Sequence, residues 1–229
     1  MAQDKKTDAS EDRFEIVEET LSRTEQYIED NQKSLTVIIA VIVAIVAGFM
    51  AYNKFILEPN EYKAHQEMFP AQQYFAKDSF DLALNGDGNY SGFLYIIDNF
   101  GSTKAGNLSN YYAGISYLRM GNFESAISFL QNFDSDDAIL GPLALGGIGD
   151  ANMELGKTKD AIDYYLQASN KADNDLTTPH YLMKAGIAYE IDGDYASALK
   201  MYTTIKEKYE NSEQGQNVEK YIARASIKK

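Results

Sequence analysis

GIAYEIDGDYASALKMY, residues 186–202, decides the fold, because two earlier stretches repeat its pattern. Residues 114–130 read GISYLRMGNFESAISFL, and residues 149–165 read GDANMELGKTKDAIDYY. Each opens on a glycine (Gly114, Gly149, Gly186) and places a second one seven residues on (Gly121, Gly156, Gly193). An alanine follows (Ala126, Ala161, Ala198), and a large side chain closes the motif (Leu130, Tyr165, Tyr202). The leading glycines lie 35 and 37 residues apart, a period that belongs to stacked helix pairs. A glycine in mid-helix lets a paired helix come close, and the alanine answers it from that second helix. The second glycine ends the first helix, where a left-handed residue is needed. The closing side chain fills the layer between pairs.

Moving outward, Gly88-Asn89-Tyr90 matches Gly121-Asn122-Phe123 at an offset of 33. Asp81 and Phe93 hold the places expected to be small, so this first unit is expected to pack loosely, as a cap. At the other end, residues 213–228 carry Val218, Tyr221, Ile222 and Ala225 on one helical face. Arg224 and Lys228 near the terminus suit a final capping helix, with cations at the negative end of its dipole.

Residues 35–52 read LTVIIAVIVAIVAGFMAY and carry no charge, with Thr36 as the only polar side chain before Tyr52. At 1.5 Å per residue they cover roughly 27 Å, close to a hydrocarbon core. A transmembrane anchor over 35–57 is expected, bracketed by Lys33 and Lys54. A cleaved signal peptide fits worse, since its leading region would be 34 residues long and net negative. Flanking cations tie (Arg23 and Lys33 against Lys54 and Lys63), so orientation rests on a short tail preceding a large domain. That arrangement places the N-terminus in the cytoplasm. Ahead of the anchor, Phe14, Val17, Leu21 and Ile28 lie at heptad-like spacing among glutamates and predict an amphipathic helix over 12–32. It is either a solvated, weakly pairing helix or a docking helix for a membrane partner. The expected order is a tail (1–34), an anchor (35–57), a stalk helix (58–73) and a repeat domain with a capping helix (74–229).

The 229 residues hold 34 Asp+Glu against 21 Lys+Arg, a net charge of −13. An evenly acidic chain repels phosphate backbones, so nucleic acid is not an expected partner. Cysteine is absent, which removes disulfides and thiolate metal sites. The two histidines, His65 and His180, sit in no metal-ligand spacing. Gly146-Gly147-Ile148-Gly149 looks like a phosphate loop but falls inside a repeat helix, where small residues serve packing. Asp134, Asp136 and Asp137 read as a turn and helix cap, because the calcium-loop spacing is missing. No enzyme, cofactor, metal or small-molecule substrate is expected.

The helix-pair pattern resembles the tetratricopeptide repeat family over about residues 74–210, with Asn152 and Thr158 departing from its aromatic positions. The resemblance implies an all-α solenoid that binds protein partners along a concave groove. Carried across unit by unit, the groove positions fall on Leu108, Tyr111, Ile115 and Leu118, then on Leu143, Gly146, Asp150 and Met153, and then on His180, Met183, Ile187 and Glu190. That lining is apolar with a few acids and no Lys or Arg. It suits an extended apolar segment or a partner helix better than a peptide carboxylate. Some of these side chains are equally expected to contact only the next repeat or the capping helix.

The order of modules, with LSRTEQYIEDNQK (21–33) before the anchor and GDYASALKMY (193–202) near the end, resembles the YfgM-like proteins. That resemblance implies an ancillary subunit of the SecYEG translocon in the bacterial inner membrane. Its repeat domain would face the periplasm and assist export or folding beside translocon subunits, periplasmic chaperones and exported clients. The alternative is a structural scaffold for envelope or cell-division assembly.

Overall fold

A computed structural model describes residue 25 and residues 27–228. The chain divides into two units, residues 1–58 and 59–229. The amphipathic helix expected over 12–32 lies largely outside the described residues.

In the first unit, helix α1 (Gln32–Tyr52) buries none of its residues, and Val37, Ile42, Ile45 and Phe49 are all exposed. Thr36 returns its hydroxyl to the carbonyl of Gln32 at 2.7 Å, so its one hydroxyl is satisfied inside the helix. By length and composition this stretch is apolar enough to cross a membrane. A π-helical turn follows (Asn53–Leu57). Pro59 has no N–H to offer Phe55, and a helix that loses that bond slips register just ahead of the proline.

The second unit is a stack of helix pairs: α2 (Glu58–Phe75), α3 (Phe80–Asn85), α4 (Phe93–Phe100), α5 (Lys104–Arg119) and α6 (Phe123–Gln131). The stack continues with α7 (Leu140–Glu154), α8 (Thr158–Lys171), α9 (Thr177–Asp192), α10 (Tyr195–Lys208), α11 (Glu213–Asn217) and α12 (Glu219–Lys228). Helix α2 covers the stretch expected as a stalk helix over 58–73, and it packs against the repeats. Its Ala64, Met68 and Ala71 are buried in one core with Phe93, Ile96, Ala105 and Ala113. Glu61 completes the attachment: its carboxylate accepts the Lys104 and Ala105 N–H groups at 2.7 and 3.0 Å, capping α5 together with Thr103.

The three full pairs, α5–α6, α7–α8 and α9–α10, close in one way. Gly121, Gly156 and Gly193 have φ of 79°, 70° and 86°, with nothing near a Cβ, so conformation alone calls for glycine. At each turn the glycine N–H bonds back to Leu118, Met153 or Glu190. The next N–H bonds to Tyr117, Asn152 or Tyr189. That next residue then opens the following helix: Asn122 and Asp194 accept the Ser125 and Ser197 N–H groups, whereas Lys157 has no cap to give. Connections between pairs are longer and tied by side-chain amides. Asn107 bonds both backbone groups of Asp134, and Asn174 reaches the carbonyl of Ala138.

The leading glycines receive the closing side chains sixteen residues on. A Cβ on Gly114 would stand 2.5 Å from Leu130 Cγ, one on Gly149 2.5 Å from Tyr165 Cε1, and one on Gly186 2.8 Å from Tyr202 Cζ. Ala126, Ala161 and Ala198 are fully buried beside them. In the worn first unit, α3 and α4 have only six and eight residues. Asp81 is exposed, and Phe93 stacks on Tyr112 at 5.0 Å where the full pairs have a small residue.

Candidate groove between the repeat helices

The first helices of the three full pairs line an open cavity of about 800 Å³. Of the expected groove residues, Tyr111, Ile115 and Leu118 reach it from α5, Leu143, Asp150 and Met153 from α7, and His180 from α9. Its apolar wall follows from their spacing at three and four residues along each helix. Gly147 lines the same wall and leaves room for Leu130 from the preceding pair, while Gly146 leaves room for the Tyr181 ring. The glycine run thus lies inside α7 and serves packing, as the sequence implied.

Besides Gly146, four expected groove residues are elsewhere. Leu108 packs against the core shared with α2. Met183 and Ile187 join a core with Val218, Ala225, Tyr221 and Ile222, and Glu190 pairs with Arg224 at 2.8 Å. The closing helices α11 and α12 thus cover the third pair where the first two stay open. Sequence spacing could not reveal this, since it depends on where the last helices dock.

The cavity also holds groups that the sequence reading missed. Lys184 reaches both oxygens of Asp150, at 2.7 and 2.8 Å, and the Tyr165 hydroxyl donates to the same carboxylate at 2.6 Å. Arg119 and Glu154 line the cavity as well, so the expected absence of basic residues does not hold. The Lys184 charge is nevertheless matched by Asp150, which leaves Arg119 as the one lining cation outside that pair. Burial first, then the nearby Asp150 carboxylate, pushes the Tyr165 phenol far above its usual range and keeps it a proton donor. His180 meets the Tyr181 ring edge-on at 4.9 Å. Burial, followed by the Lys184 charge, lowers its pKa, while Asp150 and Glu213 oppose the shift. A signal existed for Lys184: it lies 34 residues from Asp150, about one repeat away, where successive first helices meet.

Among the described residues no cluster of His, Asp and Glu has metal-binding geometry. Asp137 takes the N–H groups of Ile139 and Leu140 at 2.8 Å each, which makes it the helix-entry cap its sequence context implied. Backbone donation to that carboxylate holds its pKa below the usual range.

Residues 109–136 and 181–212 match the family model of the tetratricopeptide repeat. No curated protein matches the chain significantly. Among solved structures, the chain is similar to the nearly identical TPR-like repeats of a proposed kinesin light chain from Podosopora anserina. The TM-score is 0.55 at 12% identity, over 72% of this chain and 86% of that one. A second structure of those repeats matches equally. MamA matches with a TM-score of 0.50 at 20% identity, over 69% of this chain and 93% of that one. At such identities the likeness shows the fold alone. The described residues of the second unit form a helical, tetratricopeptide-like solenoid, and the repeats matched at 109–136 and 181–212 imply a protein-interaction adaptor.

Proposed function

We propose that this protein is a membrane-tethered, non-catalytic adaptor that holds a helix or extended apolar segment of a protein partner in the cavity between α5, α7 and α9. One observation carries the reading: Ile115, Leu118, Leu143 and Met153 line an open cavity of about 800 Å³ whose two cations, Lys184 and Arg119, share it with two acids, Asp150 and Glu154, with Lys184 bonded to Asp150. A wall of this kind favours apolar side chains over charged ends. The apolar, unburied helix Gln32–Tyr52 serves as the tether. Replacing Leu118 or Met153 by Glu is expected to abolish partner recovery in a detergent pulldown while leaving the helical CD spectrum intact. Undiminished recovery would refute the cavity as the binding site.

The finer reading places the chain in the bacterial inner membrane, with its N-terminus cytoplasmic and its repeat domain periplasmic, as an ancillary subunit of the Sec translocon assisting export or folding. Its support is the resemblance to the YfgM-like proteins in module order and in the two phrases at 21–33 and 193–202. Recovery of translocon subunits that is lost when residues 12–52 are exchanged for an unrelated anchor would support it. A stable envelope partner that stays on the isolated repeat domain would favour the scaffold reading instead. Protease digestion of intact spheroplasts tests the orientation, since a protected C-terminal domain would reverse it.

A further inference from the structure

Helix α2 has two faces rich in apolar side chains, and the repeat domain uses one of them. Ala64, Met68 and Ala71 are buried. On the opposite side, Pro59, Tyr62, Gln66, Phe69 and Gln73 follow one another at steps of three and four residues, and all five are exposed. Tyr62 is 67% and Phe69 61% exposed. None of the five carries a charge, on a chain whose net charge is −13. An uncharged stripe with large exposed rings on so acidic a protein marks a contact surface.

We propose that this stripe pairs with the same stripe of a second copy of the chain, with the two α2 helices lying parallel. Alternating steps of three and four place Tyr62 and Phe69 along one coiled-coil-like seam, where each meets its own counterpart. Glu58, which Lys54 meets at 3.3 Å along its own helix, and Lys63 flank that seam on opposite sides, five residues apart. That is the spacing at which opposite charges meet across parallel helices. Pro70 lies inside α2 and has no N–H, so the carbonyl of Gln66, on the stripe itself, lacks its helical donor. The Gln66 or Gln73 amide of the facing copy can supply one. A two-fold contact needs a surface complementary to itself, which this stripe is.

The parallel sense rests on the tether reading: in two copies anchored alike in one membrane, α2 follows the anchor in the chain and so starts from the membrane side in both. Five helical positions cover far less than the roughly 800 Å² per partner of a standard interface. The pairing therefore forms where a shared membrane raises the effective concentration, not in dilute solution.

The absence of cysteine allows a direct test on the full chain, reconstituted in phospholipid vesicles, floated on a density gradient and then oxidised. Tyr62→Cys, Phe69→Cys and Gln66→Cys, the last retaining both rings, are each expected to give a disulfide-linked dimer. Asp98→Cys, exposed on α4, is expected to stay monomeric. Phe69→Glu added to Gln66→Cys is expected to remove the dimer band. Floated protein that forms no dimer at the three stripe positions overturns the pairing alone, as does equal cross-linking at Asp98. Protein that stays at the bottom of the gradient refutes the tether, and the parallel pairing with it.

Discussion

Replacing Gly186 by Ala tests whether the leading glycines exist to receive the ring sixteen residues on. In an open helix this change stabilises by about 1 kcal/mol, because alanine is the better helix former. Here the new methyl would stand 2.8 Å from Tyr202 Cζ and 3.0 Å from Cδ1, well inside ordinary contact. Tyr202 is completely buried and cannot swing into water. It is hemmed in by Val218, Ala225 and Tyr221. Overpacking of a filled core costs about 1–3 kcal/mol. The two effects together leave a net loss of up to about 2 kcal/mol. In a Tyr202→Ala chain, itself weakened by about 3–5 kcal/mol, the obstacle is gone. Gly186→Ala should then stabilise by about 1 kcal/mol. Urea unfolding of the full chain in mild detergent, followed by far-UV CD, reads all four corners of this cycle. A methyl that stabilises the intact chain as much as the Tyr202→Ala chain, or is equally harmful in both backgrounds, would refute the account.

Gly193→Ala meets no neighbour, yet it should destabilise by about 1 kcal/mol in the same assay, because φ of 86° disfavours any Cβ; Gly193→Asn should cost less. Glu61→Ala strips the cap from the Lys104 and Ala105 N–H groups and should lose about 1–2 kcal/mol, read as earlier amide exchange at the start of α5. His180, its pKa lowered from 6.5 by burial, binds a proton less readily folded than unfolded. Its contribution is therefore complete above the unfolded pKa. It declines as pH falls through 6.5 towards the lower folded pKa, and is constant below that. His180→Gln should flatten that part of the stability–pH curve.

The repeats were legible because their requirement is local: Gly114, Gly149 and Gly186 recur at one period with a turn glycine seven residues on. What each glycine receives was less so, since the identity of the ring depends on the angle between helices. Seven of the twelve groove positions reach one cavity. Met183, Ile187 and Glu190 drop out because the final helices dock on them, and docking leaves no mark on their own spacing. Lys184 escaped notice since its partner Asp150 lies on the neighbouring pair. Helix α2 read as a stalk because its buried face is mostly small, Ala64, Met68 and Ala71, among many polar residues. The Glu61 carboxylate that fastens it is 43 residues from its target in α5.

The two kinds of connection divide the repeat domain mechanically. Within a pair, the glycine turn is short and fully hydrogen-bonded, and its last residue belongs to two helices at once. Between pairs the linkers are longer and tied by side chains, among them the amides of Asn107 on Asp134 and Asn174 on Ala138. A guest that spread one pair from the next would load those clasps together with the helix packing between pairs.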